Sequence, residues 1–139
     1  MYVTRLILAS HGDLSKGMLN SVQMIVGNVA EDIETYSLYP GENPNDYVAK
    51  LKEEIDMSQD EYLIVCDIKG GSVYNAMVQL CVNERVQVIS GMNMNLVLEI
   101  VIGRNAGNIN LEQAIQNGKD GIEIENLKTL SSVIEEEDF

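Results

Sequence analysis

The residues of this sequence that could carry out chemistry fall in two short segments. LILASHGDLSKGML, at 6–19, contains His11, the only histidine of the chain, and DIKGGS, at 67–72, begins with Asp67. A neutral imidazole has a lone pair on one nitrogen and a proton on the other, so it can accept and pass on a group near neutral pH. A carboxylate that accepts the ring N–H selects the tautomer and stabilises the charged ring that forms. The two segments therefore indicate a nucleophilic histidine oriented by Asp67.

Phosphoryl transfer also needs donors for the equatorial oxygens, and the second segment offers them at Gly70, Gly71 and Ser72. Backbone N–H groups at a glycine-rich turn that opens a helix bind such oxygens without a metal. The glycines allow a close approach of the backbone, and Ser72 can act both as helix N-cap and as hydroxyl donor. A helix that starts after Asp13 places a second positive helix end near His11. No metal or other cofactor is expected.

The elements that must position these segments alternate between strand and helix. Apolar or β-rich runs predict strands at 3–9, 33–39, 62–68 and 86–90, and GIEIENL, at 121–127, alternates as a short last strand would. The run at 62–68 is continuous, as expected of a central strand in a parallel sheet that is covered on both faces.

Helices are predicted between these strands. The second helix has Asn43 as N-cap and Pro44 at its first position, and the last runs from its cap Asn110 to Gly118. The segment 96–102 is apolar nearly all round, so we expect another surface, such as a second subunit, to cover it. Apolar stripes define the first and third helices, with Leu14, Met18, Val22 and Ile25 in one, and Val73, Met77, Leu80 and Cys81 in the other.

This alternation predicts an α/β fold with a doubly wound, mainly parallel sheet of order 2-1-3-4 flanked by helices and joined by right-handed crossovers. Ligands bind such sheets beyond the carboxyl ends of the strands where the winding reverses, here between the first and third strands. Those strands end at Ser10-His11 and at Asp67. Singly, His11 could be a loop residue, Asp67 a cap and GGS a simple helix start, but their joint placement favours a site.

Composition limits the function further. The 139 residues predict one domain at 1–128 and an acidic tail at 129–139, and a net charge of −13 argues against binding to nucleic acid. We find no signal peptide and no apolar run of about 20 residues, which predicts a cytoplasmic protein with no membrane insertion. Cys66 and Cys81 lie in apolar patterns and are expected to be buried, reduced thiols.

Five segments together resemble the mannose-type IIA component of the bacterial phosphoenolpyruvate-dependent sugar phosphotransferase system, the family of mannose, fructose and sorbose systems. They are SHG at 10–12, the SKGMLNSVQMIVG helix, LYPGEN at 38–43, DIKGGSVYNA at 67–76 and GMNMNLVLE at 91–99. The combination is specific, although any one segment alone would be weak.

The resemblance implies that His11 accepts a phosphoryl group from the histidine-containing phosphocarrier protein and passes it to a IIB component during sugar uptake. It implies modification at Nε2, with Asp67 holding the other ring nitrogen and with Gly12, Gly70, Gly71 and Ser72 around the phosphoryl group. It further implies a homodimer that exchanges a C-terminal strand. Val73 and Asn95 stand where the family commonly has proline, and Lys69 stands where an apolar or aromatic residue is frequent, so partner choice and sugar stay open.

Other functions remain possible at this point. The phosphotransfer subunit of dihydroxyacetone kinase has a related fold, but it tends to lack the glycine after the histidine and the GGS triplet. A receiver-like module phosphorylated on Asp67 would require a pair of acidic residues to bind magnesium at the positions that Ser10 and His11 occupy. A metal-dependent hydrolase could use His11, Asp13 and Asp67, although their spacing matches no known ligand pattern. A regulatory or anion-binding module would keep the crevice and transfer nothing.

Overall fold

A computed structural model describes residues 3–131 of the chain. Its sheet has four parallel strands in the order β2-β1-β3-β4, as the sequence predicts. The strands are β1 (Thr4–His11), β2 (Glu34–Leu38), β3 (Glu61–Cys66) and β4 (Val86–Ile89). The order reverses between β1 and β3, so the loops after these two strands lie side by side at one edge of the sheet.

The helices of the described residues lie on both faces of the sheet. They are α1 (Leu14–Val26), α2 (Pro44–Asp56), α3 (Ser72–Met77), α4 (Met94–Asn105) and α5 (Leu111–Asp120), and 3-10 turns follow α1 at Gly27–Ala30 and α3 at Val78–Val82. Asn43 and Asn110 cap α2 and α5 as predicted, because their side chains accept hydrogen bonds from the backbone amides of Asn45 and Gln113.

Side chains that alternate along the central strands supply two cores. Ile7 and Ala9 of β1 pack with α2 and α3 on one face, whereas Leu6 and Leu8 pack with α1, α4 and α5 on the other. Because both faces are covered, β1 at 6–9 and β3 at 62–66 read as apolar runs in the sequence. The loops at the strand ends are therefore carried on a rigid base.

The predicted apolar stripe of the first helix is partly wrong. Val22 is fully buried, but the side chains of Leu14 and Ile25 are exposed, and the fully buried position near the start of α1 is Ser15. The buried face of the helix is therefore rotated relative to that stripe. Ser15 can lie in the core because its amide and its hydroxyl both make hydrogen bonds. Its buried face thus includes a polar residue that hydrophobic periodicity does not detect.

Two further predictions need correction. Cys66 is buried, but Cys81 is exposed, since the 3-10 turn after α3 shifts the helical phase. The last helix continues through Gly118 to Asp120. Gly118 lies inside this helix. A Cβ on that residue would lie 3.1 Å from the Cβ of Leu96, so the glycine allows α5 to pack closely against α4.

The helix predicted at 96–102 is covered mostly by its own chain, which differs from our expectation of a second subunit. Leu96, Val97, Ile100 and Val101 are buried against the sheet, α1 and α5, while Ile102 on the outer side stays exposed. No helix within residues 3–131 is both long enough and apolar enough to cross a membrane.

The last strand predicted at 121–127 does not form in this single chain. Residues 122–126 have no regular structure and 127–131 form a helical turn. Ile122, Ile124 and Leu127 are about three-quarters or more exposed, at 76%, 77% and 81%. The alternating pattern has no neighbouring strand here to pair with. Of the tail predicted at 129–139, residues 132–139 lie outside the described part.

Candidate active site

His11 and Asp67 lie together at the carboxyl edge of the sheet. His11 is the last residue of β1, and Asp67 directly follows β3, which pairs with β1 so that Ala9 lies opposite Cys66. The amide of Asp67 donates to the carbonyl of Ala9 at 3.1 Å, which continues the pairing past the end of β3. The parallel register therefore places the two side chains on neighbouring strand ends.

A single carboxylate oxygen holds His11 at two points. Oδ2 of Asp67 is 2.8 Å from the backbone nitrogen of His11 and 2.8 Å from its ring Nδ1. The other oxygen, Oδ1, accepts a hydrogen bond from the amide of Ile68 at 2.9 Å. The Asp67 side chain is only 9% exposed, whereas that of His11 is 48% exposed. The arrangement presents an accessible imidazole on a largely covered carboxylate whose two oxygens both accept hydrogen bonds.

This geometry selects the tautomer of the ring. An ionised carboxylate only accepts, so Nδ1 carries the proton and the lone pair is left on Nε2. Burial by itself would raise the pKa of Asp67, but hydrogen bonds from the backbone and ring of His11 and from the Ile68 amide outweigh burial and lower that pKa. Asp67 is therefore ionised at neutral pH, and Nε2 of His11 carries the lone pair of the ring.

The loop after Asp67 closes over the ring. Gly70 has φ +81°, and its carbonyl accepts a hydrogen bond from the side-chain amide of Asn75 at 3.1 Å. Gly71, not Ser72, is the N-cap of α3, so Ser72 is the first helical residue and its side chain makes no capping bond. Its Oγ lies 3.1 Å from Nε2 of His11 and donates to the lone pair there. The serine hydroxyl thus faces the ring nitrogen that carries the lone pair.

Gly71 packs directly against the imidazole. A Cβ built on this residue would lie 3.2 Å from Cε1 of His11 and 2.9 Å from Cγ2 of Ile68. The Gly71 amide donates to the Ile68 carbonyl at 3.3 Å, whereas the amides of Gly70 and Ser72 have no acceptor within residues 3–131. The loop therefore combines close contact with the ring and unused backbone donors beside it.

The other glycine predicted to bind the phosphoryl group has a different local role. Gly12 has φ +55°, and its amide donates to the carbonyl of Leu38 at 2.8 Å. That amide is thus committed to the end of β2. Gly12 turns the chain between β1 and α1 in a conformation that favours glycine.

Two groups of hydrogen bonds near His11 were not predicted from the sequence. The hydroxyl of Tyr39 donates to Asp13 at 2.5 Å and accepts from Nζ of Lys16 at 2.7 Å, which joins the loops after β1 and β2. Ser10 and Ser15 are fully buried and hydrogen-bonded to each other. The only available signal was the repetition of small hydroxyl residues around the histidine in the sequence.

The site is an open edge rather than an enclosed pocket. A cavity of about 760 Å³ lies at the opposite, amino edge of the sheet, where Thr4, Leu63 and Arg104 are among its lining residues. Within residues 3–131, no group of three His, Cys, Asp or Glu side chains could hold a metal ion. Asp13, which a metal-dependent hydrolase would need, is instead bound to Tyr39. An accessible ring on an open edge suits a reacting group that another protein presents.

Known proteins match the chain in sequence. The family model described as PTS system fructose IIA component, EIIA-man, matches residues 5–117. The sorbose-specific EIIA component of the PTS of Klebsiella pneumoniae is 35% identical over 97 residues, which cover 68% of this chain and 70% of that protein.

Solved structures match it in fold. The PTS component EIIA of Streptococcus agalactiae has a TM-score of 0.76 at 25% identity and covers 88% of this chain and 97% of its own. The mannose/sorbose-specific IIA subunit of Enterococcus faecalis has a TM-score of 0.75 at 26% identity, covering 91% and 97%. The PTS IIA protein associated with the fucose utilization operon of Streptococcus pneumoniae has a TM-score of 0.76 at 27% identity. The match covers 93% of this chain and 96% of that protein's chain.

Proposed function

Because the chain belongs to the mannose-type IIA family of the sugar phosphotransferase system, we propose that it is a phosphohistidine carrier with His11 as the carrier residue. It accepts a phosphoryl group from the histidine-containing phosphocarrier protein and passes the group to a IIB component. The observation that carries this proposal is the bond of Nδ1 to Asp67, which leaves the lone pair on the exposed Nε2.

Transfer to His11 is a displacement at phosphorus. The Nε2 lone pair attacks the phosphorus on the donor's phosphohistidine, the new P–N bond forms, and the donor nitrogen leaves with the electron pair of the old bond. Nδ1 keeps its proton, so the phosphorylated ring carries positive charge. Asp67 stabilises that charge at 2.8 Å, and the same steps in reverse order deliver the group to the IIB component.

Ser72 changes partner during this reaction. Its hydroxyl donates to Nε2 in the unmodified protein, so it must release the nitrogen before phosphorus arrives. It then donates to a phosphoryl oxygen, together with the amides of Gly70 and Ser72 and, after local adjustment, of Gly71. Gly12 contributes through the conformation of its backbone. This donor set neutralises the phosphoryl oxygens without a metal.

Two further properties belong to the same proposal. The protein acts in the cytoplasm as a homodimer, in which residues 121–127 pair as a strand with the partner. The exposed Ile122 and Ile124 and the outer side of α4 at Ile102 are apolar surfaces that such pairing would cover. We also propose that 1–128 is the IIA domain and that 129–139 is an acidic tail.

A phosphorylation assay tests the carrier function. The protein is incubated with phosphoenolpyruvate, the first enzyme of the system and the phosphocarrier, and the product is exposed to acid, alkali and hydroxylamine. We expect one acid-labile, alkali-stable phosphoryl group per chain, bound at Nε2 in ³¹P spectra and lost in His11→Gln. Asp13→Asn is the matched control, because Asp13 lies two residues away but bonds to Tyr39.

Other outcomes of this assay would identify the rivals. A hydroxylamine-sensitive adduct on Asp67 would indicate a receiver, although both oxygens of that carboxylate accept hydrogen bonds and little of its side chain is exposed. Complete absence of an adduct would indicate a regulatory or anion-binding module that transfers no phosphoryl group. Transfer that proceeds from ATP but not from the phosphocarrier would contradict the proposal.

A further inference from the structure

Ser10 is a fully buried polar residue directly before His11 on β1. Its Oγ accepts a hydrogen bond from the backbone amide of Ser15 at 2.8 Å and donates to the carbonyl of Gly12 at 3.2 Å. The two partners lie on the far side of His11 in the chain. One hydroxyl thus bridges the residues before and after the histidine.

This hydroxyl takes the place of an ordinary helix cap. The first amides of a helix have no partner within the helix, and the N-cap side chain usually accepts from one of them. In α1 the N-cap residue is Asp13, whose side chain makes no such bond and accepts from Tyr39 at Oδ1 instead. Ser10 accepts from the second helical residue instead. The strand that carries His11 therefore caps the helix that follows it.

The other end of this bridge is anchored to β2. Oγ of Ser15 donates to the carbonyl of Tyr36 at 3.0 Å and lies 3.2 Å from Oγ of Ser37, which pairs with Ser10 in the sheet register. The amide of Gly12 donates to Leu38 on the same strand. These hydrogen bonds hold the turn at 10–15 against β2. Within the turn, the Ser10 hydroxyl links Gly12 to Ser15.

We propose that Ser10 is a positioning residue for His11. The backbone nitrogen and Nδ1 of His11 both reach one oxygen of Asp67, and Nε2 reaches Ser72, so these three contacts form together only from one backbone placement. Loss of the Ser10 hydroxyl releases the Gly12 carbonyl and the Ser15 amide, and the backbone of His11 moves. The inference rests on the proposed function for its kinetic consequence, but its structural part does not.

The test compares Ser10→Ala with Ser10→Thr, which keeps the hydroxyl, and with Ser37→Ala, which removes a hydroxyl of the same cluster that does not bond to residues 10–12. Single-turnover phosphorylation by the phosphorylated carrier is measured with donor concentration varied. We expect the rate constant of Ser10→Ala to fall at least about tenfold, since a misplacement near 1 Å costs up to about 100-fold. The donor concentration for half-saturation changes less than about twofold, because the docking surface is intact.

¹⁵N spectra of the His11 ring give a readout that does not depend on transfer. The wild type and Ser37→Ala are expected to carry the proton on Nδ1, whereas Ser10→Ala shows mixed tautomers. Ser10→Cys, with a similar volume and a weak hydrogen-bonding group, replaces the alanine variant if that one does not fold. Recovery of the rate and of the tautomer in Ser10→Thr supports the proposal.

Three results would overturn the inference. They are a folded Ser10→Ala protein with the wild-type rate and ring shifts, an equal loss in Ser37→Ala, and, where Ser10→Ala does not fold, a Ser10→Cys protein with the wild-type rate and ring tautomer. If the wild type itself accepts no phosphoryl group, the proposed function fails, while the ring spectra still decide the role of Ser10.

Discussion

Replacement of Asp67 by asparagine removes the charge from the residue that orients the ring. In the wild type, three donors converge on this side chain, namely the backbone nitrogen of His11, its Nδ1 and the amide of Ile68. An asparagine has one acceptor oxygen and one donor group, so it cannot accept from both sides. If its NH₂ faces His11, the ring proton moves to Nε2 and the nucleophilic lone pair is lost.

The size of the effect follows from the bonds that change. A hydrogen bond to a charged group contributes about 1.5–3 kcal/mol. The bond from Nδ1 gains in importance as the ring becomes positive, so its loss raises the barrier by about that amount. At 1.36 kcal/mol per factor of ten, the phosphorylation rate falls about 10- to 150-fold. The Ile68 amide faces the other oxygen, so we also expect a stability loss of about 1–3 kcal/mol with the fold retained.

Rapid-quench measurement of a single turnover from the ³²P-labelled phosphocarrier provides the assay. Asp13→Asn is the control for charge, because it removes a nearby carboxylate with a different partner, and its rate stays within about twofold of the wild type. Denaturant titration checks that each variant is folded. A wild-type rate for Asp67→Asn, or an equal loss in Asp13→Asn, would show that Asp67 does not orient the reacting ring.

Other predictions follow from the same site and from the buried thiol. In Gly71→Ala the new methyl group meets Cε1 of His11 at 3.2 Å and Cγ2 of Ile68 at 2.9 Å, so the ring is displaced and we expect about tenfold slower phosphorylation in the single-turnover assay; an unchanged rate would contradict the packing. Because the folded pKa of Asp67 is lowered, its stabilisation is complete above about pH 4, the pKa of an unfolded aspartate, and is lost as pH falls through the folded pKa. Acid titration of stability should be shallower for Asp67→Asn than for the wild type, and parallel curves would count against this. Burial raises the pKa of the Cys66 thiol to about 12, whereas Cys81 is exposed, so a disulfide reagent at pH 8 should label one thiol in the native protein and two after denaturation; two in the native state would refute the burial.

The sheet could be predicted because its central strands are buried on both faces, so that β1 is apolar at 6–9 and β3 at 62–66. Helix starts at Asn43 and Asn110 could be predicted because a side-chain cap is a local interaction between residues close in sequence. The last strand at 121–127 could not be judged from its pattern. Alternation shows that one face can be buried, but the partner strand must come from elsewhere, and residues 3–131 of a single chain supply none.

The meeting of His11 and Asp67 followed from topology alone, since neighbouring parallel strands end at one edge. The details around them did not follow. Whether Gly71 or Ser72 caps α3 depends on one residue of backbone phase, and the buried hydrogen bonds of Ser10 and Ser15 join separate elements. Hydrophobic periodicity treats a serine as a surface residue, so it reported the wrong face of α1 near Leu14.

One Asp67 oxygen accepts two hydrogen bonds from His11, and this also limits the directions from which partners can reach the ring. A carboxylate that also binds the histidine's own backbone keeps the ring from turning, so the proposed phosphocarrier and IIB component must bring their reacting atoms along the same approach. Donor and acceptor then compete for overlapping binding surfaces and bind one after the other. Turnover should therefore show ping-pong kinetics, in which an excess of the spent phosphocarrier slows delivery to the IIB component.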